Sequence, residues 1–208
     1  MKLILISNPI NLNNEHTLVC SLFENGLEYF HLRKSDFTSD EMEAYIKQIP
    51  AEYLSKIVLH SHHHLVDKYH LKGKHKTSAN TSEITVKQLI ADKADERRIE
   101  NFISTSFHST EEIMACDYNY EYAFLSPIFD SISKKGYTSK FNQTELKSFL
   151  STRDKKMELI ALGGISEETI HQAMDLGFNG IAVLGAIWNS KIPVKHFINM
   201  HKLLQYEF

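Results

Sequence analysis

Six of the twelve histidines of this chain fall within "LHSHHHLVDKYHLKGKH", Leu59 to His75. Imidazoles at this density can hold a transition metal or pass protons. With Lys72 and Lys74 beside them they can also present positive charge to an anion. No spacing in the run is diagnostic of a zinc site, and the adjacent His62, His63 and His64 cannot all point one way. A polar helix start with one or two inward imidazoles is the simpler reading. His60, Lys72, Lys74 and His75 are the candidates for an anion site.

A second group of residues has more specific chemistry. Arg33 offers a planar fork of donors suited to phosphate. "SPIFDSISKKGY" combines the hydroxyls of Ser131 and Ser133 with Lys134 and Lys135, and Gly136 could hinge it over an anionic substrate. "LGGIS" and "VLGAI" carry Gly163, Gly164, Leu184 and Gly185. Glycine turns of this kind let backbone N–H groups approach an anion closely. They also serve simply as tight connections. Ser104, Ser106, His31 and His108 complete the polar set, and His31 and His108 are the imidazoles placed for proton transfer.

These residues need a scaffold, and the apolar pattern supplies one. Short runs recur at 3–7, 29–33, 57–61, 69–73, 102–108, 122–128, 158–164 and 180–185. Near-continuous apolar runs suit parallel strands buried on both faces. Helical segments lie between them. Thr38 with Glu41, and Ser109 with Glu112, are capping-box patterns. Asn142 and Ser166 can also open helices, Gly177 can stop one, and Pro193 can start the last. Eight alternating units predict a single-domain (β/α)₈ TIM barrel over residues 1–208, with an open doubly wound sheet as the alternative. The third crossover is short, with room for about two helical turns. Residues 74–101 form a long polar insertion. In such a barrel the polar residues above fall at the C-terminal strand ends, where active sites are built. The glycine turns of the last two units fall where phosphate commonly binds.

Composition narrows the class. A net charge of −3 over 208 residues gives no global basic field for nucleic acid. No apolar run approaches the ~20 residues of a membrane span, and the N-terminus lacks a signal-peptide core. Cys20 and Cys116 match no zinc or redox spacing. A cytoplasmic protein with reduced thiols is expected, and a homo-oligomer is possible.

In order and in register, "YFHLRKS", "FHSTEE", "SPIFDSISKKGY", "IALGGI" and "GFNGIAVLGAI" resemble the motifs of the thiamine-phosphate synthase/TenI family. The resemblance implies a TIM barrel and a role in thiamine biosynthesis. The synthase reaction joins hydroxymethylpyrimidine diphosphate to a thiazole phosphate and releases pyrophosphate. By resemblance Arg33, Ser106 and Lys134 would hold the diphosphate and His31 would touch the pyrimidine. Ser131, Ser133, Gly163, Gly164, Leu184 and Gly185 would surround the thiazole phosphate. The family pattern has a lysine two residues after the arginine. Here that position is Ser35, and Lys34 comes one early. The resemblance also implies Mg²⁺, held by Asn-Asp after strand three and Asp after strand four. Here those places read His60-Ser61 and Lys72 to His75. The histidines and lysines would then replace the metal with protein cations. A TenI-like thiazole tautomerase is the alternative enzyme, although its strand-six histidine is here Pro127. A catalytically silent phosphate-ligand binding relative is the third reading.

Overall fold

The computed structural model describes residues 1–77, 102–118, 120–130, 138–154 and 157–205. Eight parallel strands close into a barrel in sequence order, and the last pairs with the first. They are β1 (Lys2–Ile6), β2 (Tyr29–Leu32), β3 (Ile57–Leu59), β4 (Gly73–Lys76), β5 (Phe102–Phe107), β6 (Tyr122–Leu125), β7 (Glu158–Leu162) and β8 (Gly180–Val183). The predicted single-domain (β/α)₈ TIM barrel is the observed fold.

Around the barrel lie α1 (Glu15–Glu24), α2 (Ser39–Ile46), α3 (His64–Tyr69), α4 (Thr110–Met114), α5 (Gln143–Thr152), α6 (Ile170–Leu176), α7 (Gly185–Trp188) and α8 (Pro193–Leu203). Local chemistry sets many of their ends. Thr38 and Glu41 form the full capping box on α2. The Ser109 side chain accepts from the Glu112 amide, and Asn142 from those of Thr144 and Glu145. Gly177 ends α6 in the left-handed region. The predicted start at Ser166 is too early. Ser166 to Thr169 instead form a turn, in which the Ser166 amide donates to Thr169 Oγ1 and that hydroxyl donates to Gly164 O.

Strand four is displaced from its predicted place. Tyr69 belongs to α3, His70 turns the chain at φ 52°, and the strand starts at Gly73. Glycine is required there because a Cβ would lie 2.0 Å from the Phe102 carbonyl oxygen. The shift moves Lys72 out of the strand and places His75 inside it.

Alternation along each strand sorts the core into two parts. Leu3, Leu5, Phe30, Leu32, Ile57, Leu59, Leu159 and Ile181 face the helices. Ile4, Ile6, Tyr122, Phe124, Ile160 and Ala182 fill the lumen from β1, β6, β7 and β8. The lumen wall made by β2 to β5 is polar by contrast. It carries His31, His60, His75 and Ser104, all buried.

The β6 loop lies directly on the β7 turn. Ile128 N donates to Leu162 O at 3.0 Å, and Phe129 N to Gly163 O at 3.1 Å. Gly164 has φ +66°, and a Cβ there would lie 2.4 Å from Asp130 O. Gly164→Ala should therefore cost about 2–3 kcal/mol, combining left-handed strain with overpacking. Chemical denaturation against the wild-type chain measures it.

Candidate active site

Ser7, at the C-terminal end of β1, brackets the backbone of Arg33. Its hydroxyl donates to Arg33 O at 2.9 Å and accepts from Arg33 N at 2.8 Å. The Arg33 side chain is exposed at the barrel mouth. The next residue, Lys34, turns inward and is buried. Its ammonium donates to Asn8 O at 2.7 Å, to Ile10 O at 3.0 Å and to the carboxylate of Glu15. Tyr45 OH donates to the other oxygen of Glu15 at 3.1 Å. Burial, with the Glu15 charge second, pushes the Tyr45 phenol far up. Lys34 therefore anchors the β1–α1 loop and positions Arg33, a role that sequence patterning does not reveal.

Below the mouth, three imidazoles meet. His31 Nδ1 lies 2.8 Å from His60 Nε2, and His31 Nε2 pairs with the Tyr122 hydroxyl. His75 Nδ1 lies 2.8 Å from Ser104 Oγ, and Nε2 lies 2.9 Å from Ser106 Oγ. The His60 and His75 rings stack with centroids 4.1 Å apart, and Phe124 packs on both His31 and His75. The cause is register. His75 pairs with Ser104, and Ser104 with Tyr122, so inward positions of adjacent strands carry polar groups at one level.

All three rings are held neutral. Burial pushes His31 well below the usual imidazole value, with His75 adding to it. Burial and then His75, His31 and Arg33 do the same to His60. Burial, then Arg33 and His63, bring His75 down to about 3. Burial also keeps the Tyr122 phenol protonated. With neutral rings, one consistent proton arrangement has Tyr122 donating to His31 Nε2 and His31 Nδ1–H donating to His60 Nε2.

This overturns the reading of the stretch as protein cations. Lys72 precedes β4 at the opposite, N-terminal end of the barrel, its ammonium 4.6 Å from the Tyr29 ring centroid and 5.4 Å from that of Phe102. Lys74 alternates with His75 and pairs with Leu59, so it faces away from the lumen. His60 and His75 do come together, but as uncharged groups.

The neutral rings make stability depend on pH. Their folded-state values lie below the ~6.5 of an unfolded histidine, so the unfolded chain binds more protons as pH falls. Stability should decline from about pH 6.5 toward about 3 for His75. The His75 ring contributes up to about 1.4 kcal/mol per pH unit in that range. Denaturation in metal-free buffer at several pH values should show His75→Gln losing one ring's share of the slope.

The remaining candidates fall in several places. Ser106 joins the cluster through His75. His108 is exposed after β5, and its Nδ1 donates to Ser126 O at 3.0 Å. Gly163 and Gly164 carry the β7 turn, while Leu184 and Gly185 open α7. Gly185 lines a cleft of about 350 Å³ with Ser166 and Ala186. Ser131, Ser133, Lys134 and Lys135 lie outside the described residues, as does the hinge proposed at Gly136. Tyr122 and Ser104 complete the lumen network. Ser104 belongs to the polar set already read from the sequence, and Tyr122 could have been found from its two-residue alternation with Phe124.

A closed parallel barrel with an exposed arginine and a polar lumen beneath its C-terminal mouth defines a (β/α)₈ enzyme whose chemistry sits on the strand ends. The chain belongs to the thiamine monophosphate synthase (TMP-TENI) family, whose model matches residues 3–187. Thiamine-phosphate synthase of Flavobacterium psychrophilum is 25% identical over 217 residues, spanning 98% of each chain. That of Anoxybacillus flavithermus is 30% identical over 102 residues, 47% of this chain and 45% of that protein. The solved thiamine phosphate pyrophosphorylase of Bacteroides thetaiotaomicron superposes with a TM-score of 0.81 at 29% identity, covering 100% of both chains.

The Mg²⁺ implied by this family does not fit the residues present. Mg²⁺ takes oxygen ligands in octahedral geometry. β3 leads into His60 and Ser61, and β4 ends in His75 and Lys76, followed by Thr77. Among the described residues no carboxylate stands at these places. The candidate cluster found there consists of three histidines. No helix of the described residues is long and apolar enough to cross a membrane.

Proposed function

We propose that this protein is a transferase of thiamine biosynthesis that joins a pyrimidine diphosphate to a phosphorylated thiazole and releases pyrophosphate. The carrying observation is the family match over residues 3–187, which spans all eight strands. In this reaction the bond from the pyrimidine methylene to the diphosphate oxygen breaks, and its electron pair leaves with pyrophosphate. The thiazole nitrogen then supplies the pair for the new C–N bond. No protein nucleophile is required. The protein must hold the leaving group and orient the acceptor. Arg33 is the residue we assign to the diphosphate. Ser106, oriented by His75, is assigned beside it, with Lys134 from the β6 loop. His31 is assigned to the wall of the pyrimidine pocket. The turns at Gly163–Gly164 and Leu184–Gly185 are assigned to the thiazole phosphate, with Ser131 and Ser133.

One observation favours a second reading, a thiazole tautomerase. His108 is exposed at the end of β5, and Ser126 O holds its Nδ1, which leaves Nε2 to move a proton. Incubation with both substrates and chromatographic detection of thiamine phosphate separates the two. Product formation supports the synthase. Tautomerised thiazole without thiamine phosphate, across added divalent ions, would replace it with the second reading.

A further inference from the structure

We infer that His31, His60 and His75 form a binding site for one divalent transition-metal ion of the Zn²⁺ or Co²⁺ class. One nitrogen of each ring lies within 4.8 Å of the other two, in a buried site. Imidazole suits these ions, and three histidines are a sufficient protein ligand set for zinc. The ligand pair is already formed on one side. His31 Nδ1 and His60 Nε2 stand 2.8 Å apart and share a proton that a cation would displace. The surrounding groups are those a metal-binding histidine needs at its other nitrogen. Tyr122 holds His31 at Nε2. Ser104 holds His75 at Nδ1 and Ser106 holds it at Nε2, so one of these two hydroxyls must release the ring. The stacked pair of His60 and His75 must also tilt, because parallel rings do not converge on one ion.

The site does not depend on the reaction assigned above, and it is of another kind from an oxygen-ligated Mg²⁺ centre. The histidines nearest in sequence are engaged elsewhere. His62 Nε2 lies 2.8 Å from Phe37 O, and His64 Nε2 lies 3.0 Å from Ser39 Oγ.

The test uses the full chain without a histidine tag. Co²⁺ and Zn²⁺ are titrated separately by calorimetry, and Co²⁺ also by visible absorption. One equivalent of each should bind, and Co²⁺ should show the intense visible bands of a four- or five-coordinate nitrogen site. His60→Gln and His75→Gln should each weaken binding by more than ~100-fold, and Tyr122→Phe by ~10–100-fold. His62→Gln/His63→Gln/His64→Gln should leave it unchanged. Circular dichroism confirms that each variant is folded. Absence of saturable uptake by the wild-type chain overturns the inference. So does uptake that survives in a folded His75→Gln chain, or that disappears in the triple variant.

Discussion

Lys34→Met should destabilise the fold by about 3–5 kcal/mol, the scale for stripping the partner from a buried ion pair. Lys34 and Glu15 each have 1% of their side chain exposed, so the carboxylate left behind cannot recover its hydration. The carbonyls of Asn8 and Ile10 lose their donor in the same change. Tyr45 OH would remain as a single neutral donor to Glu15. Combining Lys34→Met with Glu15→Gln removes the orphaned charge. The double variant should therefore be more stable than the sum of the single losses by roughly 1–3 kcal/mol. Urea denaturation of the four chains closes this cycle. Simple addition would mean that the two side chains do not act as a pair. Activity should fall along with stability, because the same lysine ties down the loop beside Arg33.

Glu15 and Lys34 also show what the sequence conceals. They lie in different βα units, and patterning reads a lysine at a strand end as solvated. Only the pairing of β2 beside β1 brings it to the β1–α1 loop and Glu15. Seven strands were legible because Ile, Val, Leu and Phe cluster in them at strand length. The eighth, β4, was not. Its residues Gly73–Lys76 read "GKHK", and no apolar run marks a strand whose inward side chain is a histidine held by Ser104. The apolar-looking "YHL" before it belongs to the end of α3 and its left-handed cap instead. That single displacement misplaced Lys72, Lys74 and His75 together. Arg33 and the glycine turns were legible, because a charged fork after β2, the Gly163–Gly164 pair after β7 and Gly185 after β8 have few purely apolar explanations. The imidazole cluster was not, since His31, His60 and His75 meet through inter-strand register, which no local spacing records.

Arg33→Ala should lower kcat/KM for thiamine phosphate formation by roughly 10²–10³-fold, the scale for losing one well-placed donor to a developing anion. The charge on pyrophosphate grows as the bond to the pyrimidine methylene breaks, so a fixed cation at the mouth favours the transition state over the bound substrate. Among the described residues, two other cations near these strand ends are engaged elsewhere. Lys34 holds Glu15, and the Lys76 ammonium lies 5.7 Å from the Tyr118 ring centroid. The histidines beneath are neutral, and Lys72 is at the far end of the barrel. Arg33→Lys should recover only part of the loss, because an ammonium keeps the charge without the two-pronged geometry. Stability should change by no more than about 0.5 kcal/mol, since the side chain is exposed and Ser7 holds the backbone rather than the guanidinium. Steady-state kinetics with saturating thiazole phosphate measure the effect. Calorimetry with pyrophosphate should show weaker binding by about 1.5–3 kcal/mol. An Arg33→Ala enzyme that keeps kcat/KM within about threefold of wild type would move the leaving-group cation elsewhere, with Lys134 the next residue to change.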